Sequence, residues 1–283
     1  MKSLTNKPIT LRPFKPSHIR PRPVEFQFDP TIPKLWFCGS SITTHLLNGT
    51  NLFLPAFEGY MVRAMQSQIP YLQDAPLRSQ LGGLLGQELH HSQAHQQYLE
   101  VLRQQGYRFE AYLGGITYFF NCVMPRLGMG FQLATIAGFE HMTASLAEIS
   151  LHHNILEQMH PTMQALWEWH AAEELEHKEV AFDLFQARGG AYWQRVMGGV
   201  LGVFVVIGLM MAGMLLLAAQ DAKFLSFKTL SDLNQLLFTK YRLILRSLQR
   251  IIPYFHPRFH PSQVDTHSFG EKAIARLTRA EGR

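Results

Sequence analysis

Residues 169–182, WHAAEELEHKEVAF, put His170, Glu174 and His177 at i, i+4 and i+7 of a helix. At 3.6 residues per turn these side chains share one face. A carboxylate and two imidazoles on one stripe of a core-forming helix are costly to bury unless something binds them. A second stretch, GQELHHSQAH at 86–95, sets Glu88, His91 and His95 on one face at i, i+3 and i+7. The fold has to bring these two polar stripes together inside an apolar body.

Paired Glu-x-x-His motifs are a weak signal alone. Glu157 and His160 make a third match, but Pro161 follows directly and marks that pair as a helix-end decoy. Order and spacing say more. A dimetal carboxylate bundle takes one Glu from each of two helices and Glu-x-x-His from each of the other two. This chain supplies Glu58, then Glu88 with His91, then Glu140, then Glu174 with His177. Each Glu precedes its Glu-x-x-His partner by the length of one helix, a turn and a returning helix. Glu148 competes with Glu140 but leaves a shorter gap, so it and His95 are read as candidate outer partners that orient a ligand.

The surrounding pattern is helical. Pro76 suits a first helical turn after Asp74, and Gly106 suits the stop. A short apolar helix near 111–124 precedes Pro125, a long helix ends before Pro161, and the next stops at Gly189 and Gly190. Residues 41–68 read as a helix interrupted near 48–50 and at Pro55. Almost nothing alternates with period two. The expected fold is all-α: an extended Pro-rich arm over 1–40, a dimetal helical bundle over 41–190, an apolar helix over 191–222 and a basic helical tail over 223–283.

Residues 196–219 carry no charge, a length that meets the requirement for a membrane span. Trp193 and Arg195 stand where interfacial anchors often do. The alternative is a buried helix of a soluble domain. Positive charge is concentrated downstream: residues 221–283 hold 11 Lys and Arg against 5 Asp and Glu. Keeping that tail on the cytoplasmic side favours a membrane hairpin completed by residues 229–252. The expected location is therefore the cytoplasmic face of a membrane, with lipid as a partner. Basic residues form no recognition motif, so nucleic acid is not expected as a partner. Two cysteines, Cys38 and Cys122, provide neither a disulfide framework nor a thiolate metal site.

On these motifs the chain resembles the ferritin-like di-iron carboxylate proteins, and more narrowly the bacterial family labelled predicted metal-dependent hydrolases, over roughly residues 8–190. The spacing of His170, Glu174 and His177 is similar to that of p-aminobenzoate N-oxygenase, in which an extra His joins the usual six ligands. That resemblance implies a ferritin-like four-helix bundle and seven ligands: Glu58, Glu88, His91, Glu140, His170, Glu174 and His177. On residue chemistry alone, His170 is equally a ligand or a hydrogen-bond partner of one.

Carboxylate and imidazole donors without thiolate suit two iron ions, with manganese or zinc as alternatives. Three functions are compatible with such a centre. The first is O₂-dependent oxidation of a hydrophobic or amine-bearing small molecule, which requires an external electron donor. The second is metal-dependent hydrolysis, and the third is a non-catalytic metal-binding bundle. Homodimer pairing through an outer helix face is left open by the sequence.

Overall fold

The computed structural model describes residues 19–29, 31–221, 226–264 and 266–281. The fold is all-α, with nine α-helices and no strand among the described residues; the only extended pairing is an isolated antiparallel bridge between Phe37 and Met159. Four long helices make a closed ring: α1 (Ser41–Gln66), α2 (Ala75–Gln104), α4 (Met129–His152) and α5 (Pro161–Ala187). α1 packs on α2 and α4, and α5 packs on the same two helices from the opposite side. A short α3 (Glu110–Tyr118) leads through a π-turn and a 3₁₀ turn into α4.

Local chemistry explains the boundaries. Asp74 caps α2, its carboxylate accepting from the Leu77 N–H at 3.0 Å, with Pro76 in the first turn. Gly106, at φ +90°, ends the segment after α2, and Gly189, at φ +75°, does the same after α5. The expected break in α1 is absent. Pro55 sits inside one continuous helix, where burial against α2 outweighs the backbone hydrogen bond that proline forfeits. Gly49 also stays helical, and the segment around Met210 approaches there too closely for a side chain: a Cβ at Gly49 would lie 2.3 Å from the Met210 carbonyl oxygen.

The apolar segment forms α6 (Tyr192–Ala218), long and apolar enough to cross a membrane. It packs along α1 and α4, with Gly199 so close to Gly138 that a Cβ on Gly138 would stand 2.5 Å from the Gly199 Cα. Its other face, from Trp193 through Met197, Val200, Phe204, Ile207 and Met211 to Leu215, is exposed. The expected hairpin is not formed. Residues 229–252 fall in two short helices, α7 (Phe227–Leu237) and α8 (Leu243–Ile251), and α6 is the one long apolar helix among the described residues. Charges every few residues in α8 give it an amphipathic pattern in place of a continuous apolar one. Arg195 is likewise no interfacial anchor. It is buried, and its guanidinium donates to the carbonyls of His256 at 2.7 Å and Phe259 at 3.2 Å.

The last helix, α9 (His267–Glu281), packs on α5 and α4. On the α2–α5 side, residues 19–29 run as an extended strap. Ile19 is buried, its carbonyl lying where a Cβ on Gly83 would clash, and Phe26 packs against Trp169 with ring centroids 5.4 Å apart and planes tilted by 55°. Of the arm expected over residues 1–40, residues 1–18 and 30 lie outside the described residues.

Candidate metal centre

Each ring helix turns acidic or imidazole side chains into the bundle axis. Glu58 comes from α1, Glu88 and His91 from α2, Glu140 from α4, and His170, Glu174 and His177 from α5; all seven are buried. Their donor atoms form overlapping clusters in which every atom lies within 4.8 Å of the others. One cluster is Glu58, Glu88 and His91; another is Glu88, Glu140 and His177; a third is His91, His170 and Glu174. Glu88 belongs to two of them, and its Oε1 lies 2.7 Å from His177 Nδ1 and 3.8 Å from His91 Nδ1. Sequence positions separated by up to 119 residues thus converge on one level of the bundle.

The same atoms are electrostatically frustrated. Both carboxylate oxygens of Glu58, Glu88 and Glu140, and the Nδ1 atoms of His91 and His177, are buried without a hydrogen-bond partner of good geometry. The short approach of His177 Nδ1 to Glu88 is therefore an electrostatic contact more than a directed bond. Burial and the neighbouring carboxylates push Glu58 well above the usual carboxylate range, and burial pushes Glu140 up to about 8. For Glu174, burial acts upward but hydrogen bonds from His170 and Thr143 hold it below the usual value. Buried polar atoms left unpaired cost free energy, so a cluster of them implies a ligand that completes it. Mixed oxygen and nitrogen donors without sulfur are a donor set that binds divalent metal ions.

Outside the cluster, each imidazole is fixed through its other nitrogen, as metal-binding histidines usually are. His91 Nε2 lies 3.0 Å from Glu173 Oε2, and His177 Nε2 lies 2.8 Å from Gln87 Oε1. Both rings therefore turn Nδ1 toward the carboxylates. His170 is reversed: its Nδ1 meets His95 Nε2 at 2.9 Å, and its Nε2 lies 3.1 Å from Glu174 Oε1. His95 is in turn held by Asn51 Oδ1 at 2.6 Å. It bonds His170 and also clusters with Glu58 and His170, so its position suits an orienting role and a donor role alike.

Glu148 does not take part. Its carboxylate is held by the Arg250 guanidinium, with Oε2 3.0 Å from Nε, on the outer side of α4. A spacing of eight residues from Glu140 leaves it two turns away, where α8 supplies a cation. Glu157 and His160 contribute to no donor cluster, and His141 is directed outward to the Arg250 carbonyl at 2.9 Å.

In the sequence Glu173 stands with Glu176 and Lys178 in a charged run that reads as an exposed face or, in part, as outer partners of the ligands. Glu173 is fully buried, and burial raises it to about 7 against the opposing pull of His177 and Arg22. Lys178 is buried as well, donating to the Val264 carbonyl at 2.8 Å. The available signal for Glu173 was its place in a helix whose other residues are almost all core. Gln87, Arg22, Asn51 and Thr143 carried no motif of their own.

α1, α2 and α3 border an open surface pocket of about 500 Å³. Leu52, Pro55, Leu99 and Leu113 line it together with Ser92 and Gln96. Ser92 follows His91, and Pro55 stands about one turn before Glu58.

No curated protein and no solved structure matches the chain. The family described as predicted metal-dependent hydrolase matches residues 20–265, extending the resemblance from the four-helix ring through α6, α7 and α8. With most of the chain covered and its buried Glu and His side chains clustered as metal donors, the protein belongs to that predicted metal-dependent hydrolase family.

Proposed function

We propose that the protein is a dimetal carboxylate enzyme acting on an apolar small molecule, with oxidation by O₂ as its chemistry. The observation that carries the two-metal reading is the sharing of Glu88 between the Glu58–His91 and Glu140–His177 clusters, a disposition suited to a bridging carboxylate. Glu58, Glu88, His91, Glu140, His170, Glu174 and His177 would hold the ions. A bound pair of iron ions supplies electron transfer to O₂, while any divalent pair supplies Lewis-acid activation of water.

The chain's own residues do the positioning. Glu173 and Gln87 hold the imidazoles of His91 and His177 with Nδ1 inward, and Thr143 Oγ1 donates to Glu174 Oε2 at 2.5 Å. Surrounding core side chains keep bulk water out. The open pocket bordered by α1, α2 and α3 has hydroxyl and amide groups among apolar side chains and no charged residue in its lining, which fits a neutral, largely hydrophobic substrate. The oxidative reading rests on the donor set: three imidazoles with Glu, and no Asp or thiolate. Hydrolysis is the second reading, favoured directly by the family's description.

The exposed stripe of α6 fits a membrane surface, and lipid is proposed as the source of substrate access. Because α6 packs along α1 and α4, it would lie in the plane of the interface, as an interfacial helix does. The test of function is metal content, then turnover of hydrophobic esters, amides and amines with and without O₂ and reductant. About two irons per chain and turnover only with both supports oxidation. Equal turnover without O₂ selects hydrolysis, and absence of bound metal overturns the centre.

A further inference from the structure

Arg22, on the extended strap outside the ring, stands at the head of two hydrogen-bond chains. In the first, Arg22 Nη1 donates to Glu173 Oε1 at 3.1 Å, and Glu173 Oε2 meets His91 Nε2 at 3.0 Å. In the second, Arg22 Nη2 donates to Glu176 Oε1 at 2.7 Å, and Nη1 reaches Glu176 Oε2 at 3.1 Å. That same Glu176 Oε2 accepts from Gln87 Nε2 at 3.0 Å, and Gln87 Oε1 meets His177 Nε2 at 2.8 Å. One guanidinium therefore reaches both Glu-x-x-His imidazoles, which come from different helices.

We infer that Arg22 is a positioning residue that sets both imidazoles at once, making the strap a part of the metal centre. The inference rests on the two-metal reading above. The geometry explains why arginine is needed: a planar fork can bond two carboxylates in fixed directions, whereas an ammonium offers a point charge. It also accounts for the placing of Glu173 and Glu176 side by side, since the one guanidinium bonds both carboxylates. Glu173, oriented by the guanidinium, accepts a hydrogen bond from the His91 Nε2–H and so leaves the Nδ1 lone pair inward. Gln87, with its amide nitrogen committed to Glu176 and to the Arg20 carbonyl at 3.1 Å, must offer its oxygen to His177. That choice of amide orientation leaves His177 with the same tautomer. The strap itself stays docked through other contacts, including Trp169 Nε1 donating to the Arg22 carbonyl at 3.0 Å and Ile19 against Gly83. Removing the guanidinium should therefore loosen the imidazoles more than the strap.

The test is a cobalt(II) titration of the full-length metal-free protein, reading visible absorption and affinity by chelator competition, beside the melting temperature of the metal-free form. Wild type should take up two ions. Arg22→Gln should weaken both by about 10–100-fold and alter both absorption envelopes, while the metal-free melting temperature changes little. Arg22→Lys should recover only part of the affinity. Glu173→Gln should weaken mainly the ion beside His91, and Glu176→Gln mainly the ion beside His177; these two variants decide the matter if Arg22→Gln fails to fold. Two ions bound by Arg22→Gln with wild-type affinity and spectrum would overturn the inference alone, as would a lowered melting temperature with unchanged affinity. A wild type that binds no cobalt, iron or manganese would instead overturn the two-metal reading beneath it.

Discussion

Glu88 Oε1 lies 2.7 Å from His177 Nδ1, across the interface between α2 and α5, while the same carboxylate clusters with Glu58 and His91. This side chain thereby belongs to both groups of donors, and Glu174 Oε1 also lies between them, 3.9 Å from the Nδ1 atoms of His91 and of His177. Glu88→Ala should abolish binding of both metal ions, whereas Glu58→Ala should leave about one ion per chain on the Glu140–His177 side. Elemental analysis after dialysis distinguishes these outcomes, and equal retention in the two variants would refute a bridging role.

Without metal, the site should make stability depend on pH. Glu140, raised to about 8, and His177, raised well above the usual imidazole value, bind more protons in the folded chain than in the unfolded one. Stability must then fall as pH rises through the interval from the unfolded values to the folded ones. His91 and His95, held low by burial, act oppositely, but only below about pH 6.5, where unfolded histidine titrates. The metal-free protein should therefore lose stability between about pH 6.5 and 8, by up to about 1.4 kcal/mol per pH unit for each proton involved. Glu140→Gln should flatten that slope. Urea denaturation across the range measures it, and a flat or rising profile in the metal-free protein would contradict the assignment.

Contact between Gly138 and Gly199 makes α6 a structural wall of the bundle. Gly138→Ala would place its Cβ 2.5 Å from a backbone atom of α6 and should cost about 1–3 kcal/mol. A melting temperature unchanged by this substitution, in detergent and in buffer, would show that α6 separates from α4.

Phe204 lies mid-stripe on α6 and is 72% exposed. Phe204→Asp should leave folding and metal content unchanged yet reduce sedimentation with lipid vesicles at least tenfold, since a buried Phe contributes about 1.5–3 kcal/mol and an inserted carboxylate opposes entry. Undiminished vesicle binding would remove the lipid-surface reading of this face.

The Glu148–Arg250 pair provides a control. Arg250 is substantially exposed, so Glu148→Gln should cost no more than about 1 kcal/mol and should leave metal stoichiometry intact. Loss of metal would return Glu148 to the site.

Much of this architecture was legible in the chain because it depends on local periodicity. The polar stripes of His170, Glu174 and His177 and of Glu88 and His91, the caps at Asp74, Gly106 and Gly189, and the uncharged run of α6 are all regularities within one or two helical turns. The four-helix order followed from the gaps between them. Where local propensity and packing disagreed, packing prevailed: α1 runs unbroken through Pro55 because its neighbours bury both sides of it.

Only the tertiary structure decided which carboxylates serve the site. Glu140 and Glu148 lie two turns apart on α4, and only the fold shows that Glu140 meets Glu88 and His177 while Glu148 meets the cation that α8 brings. Glu173 and Glu176 resemble a solvated charged face until the strap lays Arg22 between them. The course of α6 along the bundle was likewise invisible, since an apolar helix satisfies a membrane and a protein wall equally well. Helical periodicity states which residues face the same way; what they face depends on contacts between residues far apart in sequence, and these exist only once the chain has folded.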